Sequence, residues 1–160
     1  MRKCRPLCRT CDRRLGFAGR CREATAERRL LMTYTLDRTL LATSFDDAVG
    51  RTRSALIKHG FGVLTEIDVK ATMKKKIDAD IDDYLILGAC NPRMAFEALK
   101  LEPKVGAMLP CNVILRAVDG GNVMVSAIDP VASMQAIDNE MLITLAGKVR
   151  SMLADVVTDV

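Results

Sequence analysis

The sequence predicts an α+β fold: a two-layer α/β sandwich with helices on one face of a mixed or antiparallel sheet. Three observations carry this. Strand-like and helix-like stretches alternate in the order β-α-β-α-β-α-β-β-α-α. The fourth and fifth strands form a hairpin followed only by helices, which suits a sandwich better than a doubly wound sheet. No Gly-rich phosphate loop follows any strand, which argues against the usual nucleotide-binding folds.

The elements follow in order. Residues 33–42 alternate loosely, as a first strand does. Ser44 then reads as an N-cap, with Asp47 three residues on as a short version of the capping box. Phe45, Ala48, Val49, Thr52, Ala55 and Leu56 recur at helical spacing, and Gly60 sits where a helix stops. Residues 61–68 read as a strand, with Phe61, Val63, Thr65 and Ile67 on one face and Gly62, Leu64, Glu66 and Asp68 on the other. A short helix follows, with Val69, Met73 and Ile77 at four-residue steps and Lys74–Lys76 on a solvated side. The run YLILGA at 84–89 is a buried strand. Asn91 and Pro92 then start a helix as cap and first residue. Its inner face is Met94, Ala95, Ala98 and Leu99, and Glu102-Pro103 closes it. Residues 108–118 and 122–128 form a hairpin across Asp119-Gly120-Gly121. Pro110 within the first of these strands argues for a strand start, an edge or a bulge. Asp129-Pro130 repeats the cap-and-proline device before a short helix. A last helix from about Asn139 to Val157 carries Met141, Leu142, Leu145, Val149, Met152, Leu153 and Val156 as its apolar stripe.

Charge divides the chain near Met32. Residues 1–31 hold nine Arg and one Lys against two Glu and one Asp, a net of +7. The whole chain carries +4, so residues 32–160 carry −3. Four of the six cysteines, Cys4, Cys8, Cys11 and Cys21, also lie in that first segment. It lacks the apolar periodicity needed to bury a face. Three readings stand for it: translation that truly begins at Met32, a zinc knuckle using Cys8 and Cys11, or a basic arm for nucleic acid or an acidic surface. Residues 32–160 form the folded domain, long enough for an aliphatic core. This domain has no Lys/Arg stripe, so nucleic-acid binding is not expected of it. No apolar run reaches membrane-spanning length and no signal peptide is visible, so a cytoplasmic setting with reduced thiols is expected.

Four phrases stand together: GFGVLTEIDV at 60–69, ILGACNP at 86–92, LPCNVIL at 109–115 and VSAIDP at 125–130. In order and spacing they resemble the family catalogued as domain of unknown function 302, across essentially all of 32–160. The resemblance implies a small α+β domain of TATA-binding-protein-like topology and a homodimer. It implies no established activity, and it leaves the cofactor, if there is one, unknown.

Five residues are candidates for a site. Cys90 follows a buried strand and precedes a helix N-terminus, where amide N–H groups and the helix dipole favour a thiolate. Cys111 follows Pro110 at a strand start. Glu66 shares a strand face with Leu64, and a buried carboxylate needs a partner. Asn91 and Asp129 cap helices at strand ends. Against each stands a structural role: a small buried thiol, a cap, or a carboxylate paired with Arg. His59, the one His, sits at a helix C-terminus and reads as structural, so a Ser-His-Asp triad has little basis. Two functions remain. One is a homodimeric module binding a small molecule or a soft metal through Cys90, Cys111 and Glu66. The other is a thiol-dependent redox or sulfur-handling protein using Cys90, although no C-x-x-C motif lies within the domain.

Overall fold

The computed structural model describes residues 34–160. The expectations for residues 1–31, with the Cys8 and Cys11 zinc ligands and the start at Met32, lie outside the described residues.

Strand β1 (Thr35–Leu40) leads into helix α1 (Phe45–Lys58). Ser44 caps that helix by accepting a hydrogen bond from the Asp47 N–H at 3.2 Å. Gly60, at φ +79°, turns the chain into β2 (Gly62–Asp68). Asp68 then caps α2 (Val69–Ile77). β3 (Tyr84–Cys90) runs into α3 (Pro92–Leu101), and a 3-10 turn (Pro103–Met108) leads to β4 (Cys111–Val118). β5 (Asn122–Ile128), the short α4 (Pro130–Ser133) and the long α5 (Glu140–Asp159) complete the domain.

The five strands form one sheet in the order β1-β5-β4-β3-β2, every pair antiparallel. Alternation along the central strands makes the core. Leu85 lies opposite Leu115, which lies opposite Val125; Leu87, Val113 and Ala127 form the next row. All six are buried, and Leu56 of α1 with Leu153 and Val156 of α5 close over them in one cluster. The intervening side chains Ile86, Ile114 and Met124 belong to the other face and are only partly buried. Arg38 of β1 donates to the Val157 and Thr158 carbonyls and so satisfies acceptors that the end of α5 leaves open.

A second, smaller apolar cluster lies beyond one end of the sheet. Ala98 of α3, Val105 of the 3-10 turn and Met134 after α4 pack with Leu142, Leu145 and Ala146. Helix α5 therefore serves both clusters, its first half the small one and its second half the sheet.

Two expectations change. The strict alternation expected for 61–68 breaks at Leu64, where β2 bulges: Val63 pairs with Ala89, and Thr65 with Gly88. A bulge inserts one residue and swaps the faces beyond it. Glu66 therefore lies opposite Leu87, on the face that meets α1. The strand expected from Met108 begins at Cys111 instead. Met108 closes the 3-10 turn, and Pro110, lacking an N–H, stands just before the ladder.

Candidate functional site

Antiparallel pairing brings the end of β3, the start of β4 and the end of β5 to one edge of the molecule. Cys90 and Asn91 leave β3 there, Cys111 opens β4 opposite Ala89, and Asp129 follows β5. Four of the five candidate residues thus gather at one end of the sheet. Glu66, near the far end of β2, does not.

Two residues of the chain's motifs shape this end. A Cβ on Gly88 would lie 2.7 Å from Pro110 Cγ and 2.1 Å from Thr65 Oγ1. Only glycine at 88 lets Pro110 and Thr65 lie against β3, and Pro110 leads directly into Cys111. Between the sheet end and the second cluster runs an apolar crevice of about 30 Å³. Cys90, Cys111, Asn91, Met94 and Met134 line it, together with aliphatic groups and Phe61; none of the lining residues is a carboxylate or a His.

Both thiols are unpaired. Burial pushes the Cys111 thiol up to about 11, and the neighbouring Cys90 adds to the rise. Burial also pushes Cys90 above the ordinary thiol range, which reverses the lowering expected from the helix start. Burial is the cause of the rise, and the start of α3 has little to set against it. Pro92 has no N–H to offer. The Arg93 and Met94 N–H groups donate to Asn91 Oδ1 at 3.1 and 3.2 Å, and Ala95 N–H donates to the Asn91 carbonyl. The amides of the first turn of α3 are thus engaged by Asn91, and they do not offset the burial of Cys90.

Asn91 is thus a cap whose side chain also borders the crevice. Asp129 is buried and caps α4, accepting from Val131 N–H at 2.9 Å and Ala132 N–H at 3.4 Å. Its other oxygen accepts from Arg150 Nε at 2.8 Å, which ties α4 to α5. Burial acts to raise its pKa, but the Arg150 hydrogen bond and the two amides outweigh it and hold the carboxyl below the usual range. Glu66 is half-exposed and pairs with Arg53 of α1, so the buried carboxylate expected there is a surface ion pair. His59 meets Asp159 at 2.7 Å, beside Lys58, and joins the ends of α1 and α5. No local pattern marks Met134 or Arg150; both reach the site through the fold, from positions after β5.

Among the described residues no group of three or more His, Cys, Asp or Glu is placed to hold a metal ion, which argues against a zinc site of the usual kind there. Among the same residues no helix is long and apolar enough to cross a membrane.

No curated protein matches the chain. Among solved structures it is similar to the crystal structure of an uncharacterized conserved DUF302 protein from Bacillus stearothermophilus. The two are 24% identical, with a TM-score of 0.71, over 78% of this chain and 97% of that one. At that identity the likeness speaks for the fold alone. The model of the family described as "Domain of unknown function DUF302" matches residues 37–160, which takes in all of the sheet but the first two residues of β1, with the crevice, Cys90 and Cys111. The chain belongs to the DUF302 family.

Proposed function

We propose that this domain is a binding module whose crevice takes one soft, thiophilic metal ion, held by Cys90 and Cys111, and that it works as a homodimer in a reducing cytoplasm. The observation that carries the reading is the donor set. Two thiols line a narrow apolar crevice with the thioether residues Met94 and Met134, and no hard oxygen acid or imidazole lines it. Soft sulfur donors of that kind suit monovalent copper better than zinc or calcium. Size agrees. A crevice of about 30 Å³ holds one ion or one water. An organic ligand ordinarily occupies about 300–1,000 Å³ and would need the walls to part. The dimer rests on the family resemblance, and the reducing setting on the two unpaired thiols.

Redox use of Cys90 draws less support. It would need a thiolate near neutral pH, whereas burial acts in the opposite sense.

The test is anaerobic titration with Cu(I) against a competing chelator. It uses the full chain with Cys4, Cys8, Cys11 and Cys21 changed to Ser, so that only Cys90 and Cys111 remain. One equivalent should bind, and Cys90→Ser or Cys111→Ser should each abolish it. Because the ion must displace protons from thiols held high, affinity should rise with pH. A protein that takes no copper from the chelator between pH 7 and 9 would end this reading.

A further inference from the structure

We infer that α3 and the 3-10 turn form a lid over the crevice, which opens as a unit while the sheet stays folded. The inference deepens the binding reading and rests on it, since an opening lid would widen the way into the narrow crevice.

The lid is weakly held. Of the ten residues of α3, Ala98 alone is buried. Met94 and Leu101 are partly buried against the second cluster, and the 3-10 turn adds Val105. A ten-residue helix is too short to persist alone in water, so packing must hold it. Its main packing partners are the 3-10 turn and α5, not the strands. Among the described residues one side-chain hydrogen bond joins α3 to α5, from Asn139 Nδ2 to the Leu101 carbonyl at 3.2 Å. The roots are firmer. β3 and β4, on either side of the segment, are paired along their whole lengths in the middle of the sheet. Segments with few buried contacts between well-anchored ends open below the cost of global unfolding. Cys111 is 8% exposed and lines the same crevice as Met94, Ala95 and Ala98 of α3, so lid opening would uncover it.

The reagent is N-ethylmaleimide on the full chain, with modification followed cysteine by cysteine through peptide mass spectrometry. Hydrogen exchange of β4 and β5 amides in the same sample reports opening of the sheet. Cys111 should be modified at least tenfold faster than sheet opening permits. Asn139→Asp keeps the oxygen that caps α5 through Leu142 N–H but removes the donor to Leu101. It should speed Cys111 modification roughly three- to tenfold and leave the sheet amides unchanged. Modification that keeps pace with the sheet amides, or that ignores the substitution, overturns the lid. Copper uptake separates the two readings. Fast Cys111 modification without copper binding would keep the lid and remove the metal, and tight copper binding with slow modification would do the reverse.

Discussion

The two apolar clusters are built differently. The sheet cluster closes rows of side chains from three adjacent strands under two helices, and its largest members are wholly buried. The cluster at the sheet end joins a short helix, a 3-10 turn and a four-residue helix, and all of them lean on the first half of α5. Backbone ladders lock the first. The second has side chains, the caps Asn91 and Asp129, and the Asn139 and Arg150 contacts. The crevice lies on the seam between them, lined by Cys111 from the sheet cluster and by Ala98 and Met134 from the other. A rigid wall facing a yielding one is what a site needs when its contents must enter from outside.

The comparison can be broken most forcefully by matched truncations. Leu115→Ala empties the middle of the sheet cluster and should cost about 3–4 kcal/mol of global stability in denaturant unfolding. Val105→Ala removes less, about 2 kcal/mol, from an equally buried position. That loss should show first as faster hydrogen exchange in α3 and the 3-10 turn, with a smaller shift of the global midpoint. Equal global effects per methyl group would mean the two clusters unfold as one.

Gly88→Ala strikes the support of the rigid wall. Thr65 can rotate away from the new methyl, but the Pro110 ring cannot, so β4 must shift where Cys111 begins. A loss of about 1–3 kcal/mol is expected, together with easier modification of Cys111. Unchanged stability and reactivity would show that the approach of Pro110 to β3 does not matter.

The smallest effect belongs to Asp129→Asn, on the yielding side. The substitution keeps a cap but weakens the Arg150 contact, for about 1 kcal/mol at neutral pH. The folded carboxyl lies below its unfolded value, so its contribution is present above the unfolded pKa, roughly 4. It is lost as pH falls through the lower folded value. Stability curves of the wild type and the variant should therefore run parallel from neutral pH down to about pH 5 and converge below about pH 4. A gap that persists at pH 2 would assign the effect to packing instead of charge.

Much of this was legible in the chain because the signals are local. Ser44, Asn91 and Asp129 each sit one residue before a helix and cap it, as short polar side chains do. The buried runs at 84–89 and 123–127 and the turn at 119–121 make the central strands evident. The bulge at Leu64 was not legible, because an alternating pattern with one extra residue still looks like alternation until its partner strand is known. Glu66 changed faces for that reason, and its role shrank to a surface pair with Arg53. The thiol pKa values were hidden in the same way. A helix start after Cys90 suggests activation, but the burial that raises both thiols depends on which elements fold over them, and the first amides of α3 are taken by Asn91. The crevice itself depends on Met134 and α5 folding back over a strand end formed some forty residues earlier in the chain, a meeting that no window of sequence reports.

The grip of Arg38 on the end of α5 has a consequence for synthesis. The first strand finds its hydrogen-bonding neighbour in β5, and its guanidinium finds carbonyls 119 and 120 residues further on. Folds dominated by such distant partners close slowly, since each contact must first gather a long loop. On the ribosome β1 would wait, exposed along both edges, until β5 had emerged. The Arg38 contacts must wait longer still, until the end of α5 is free to meet them.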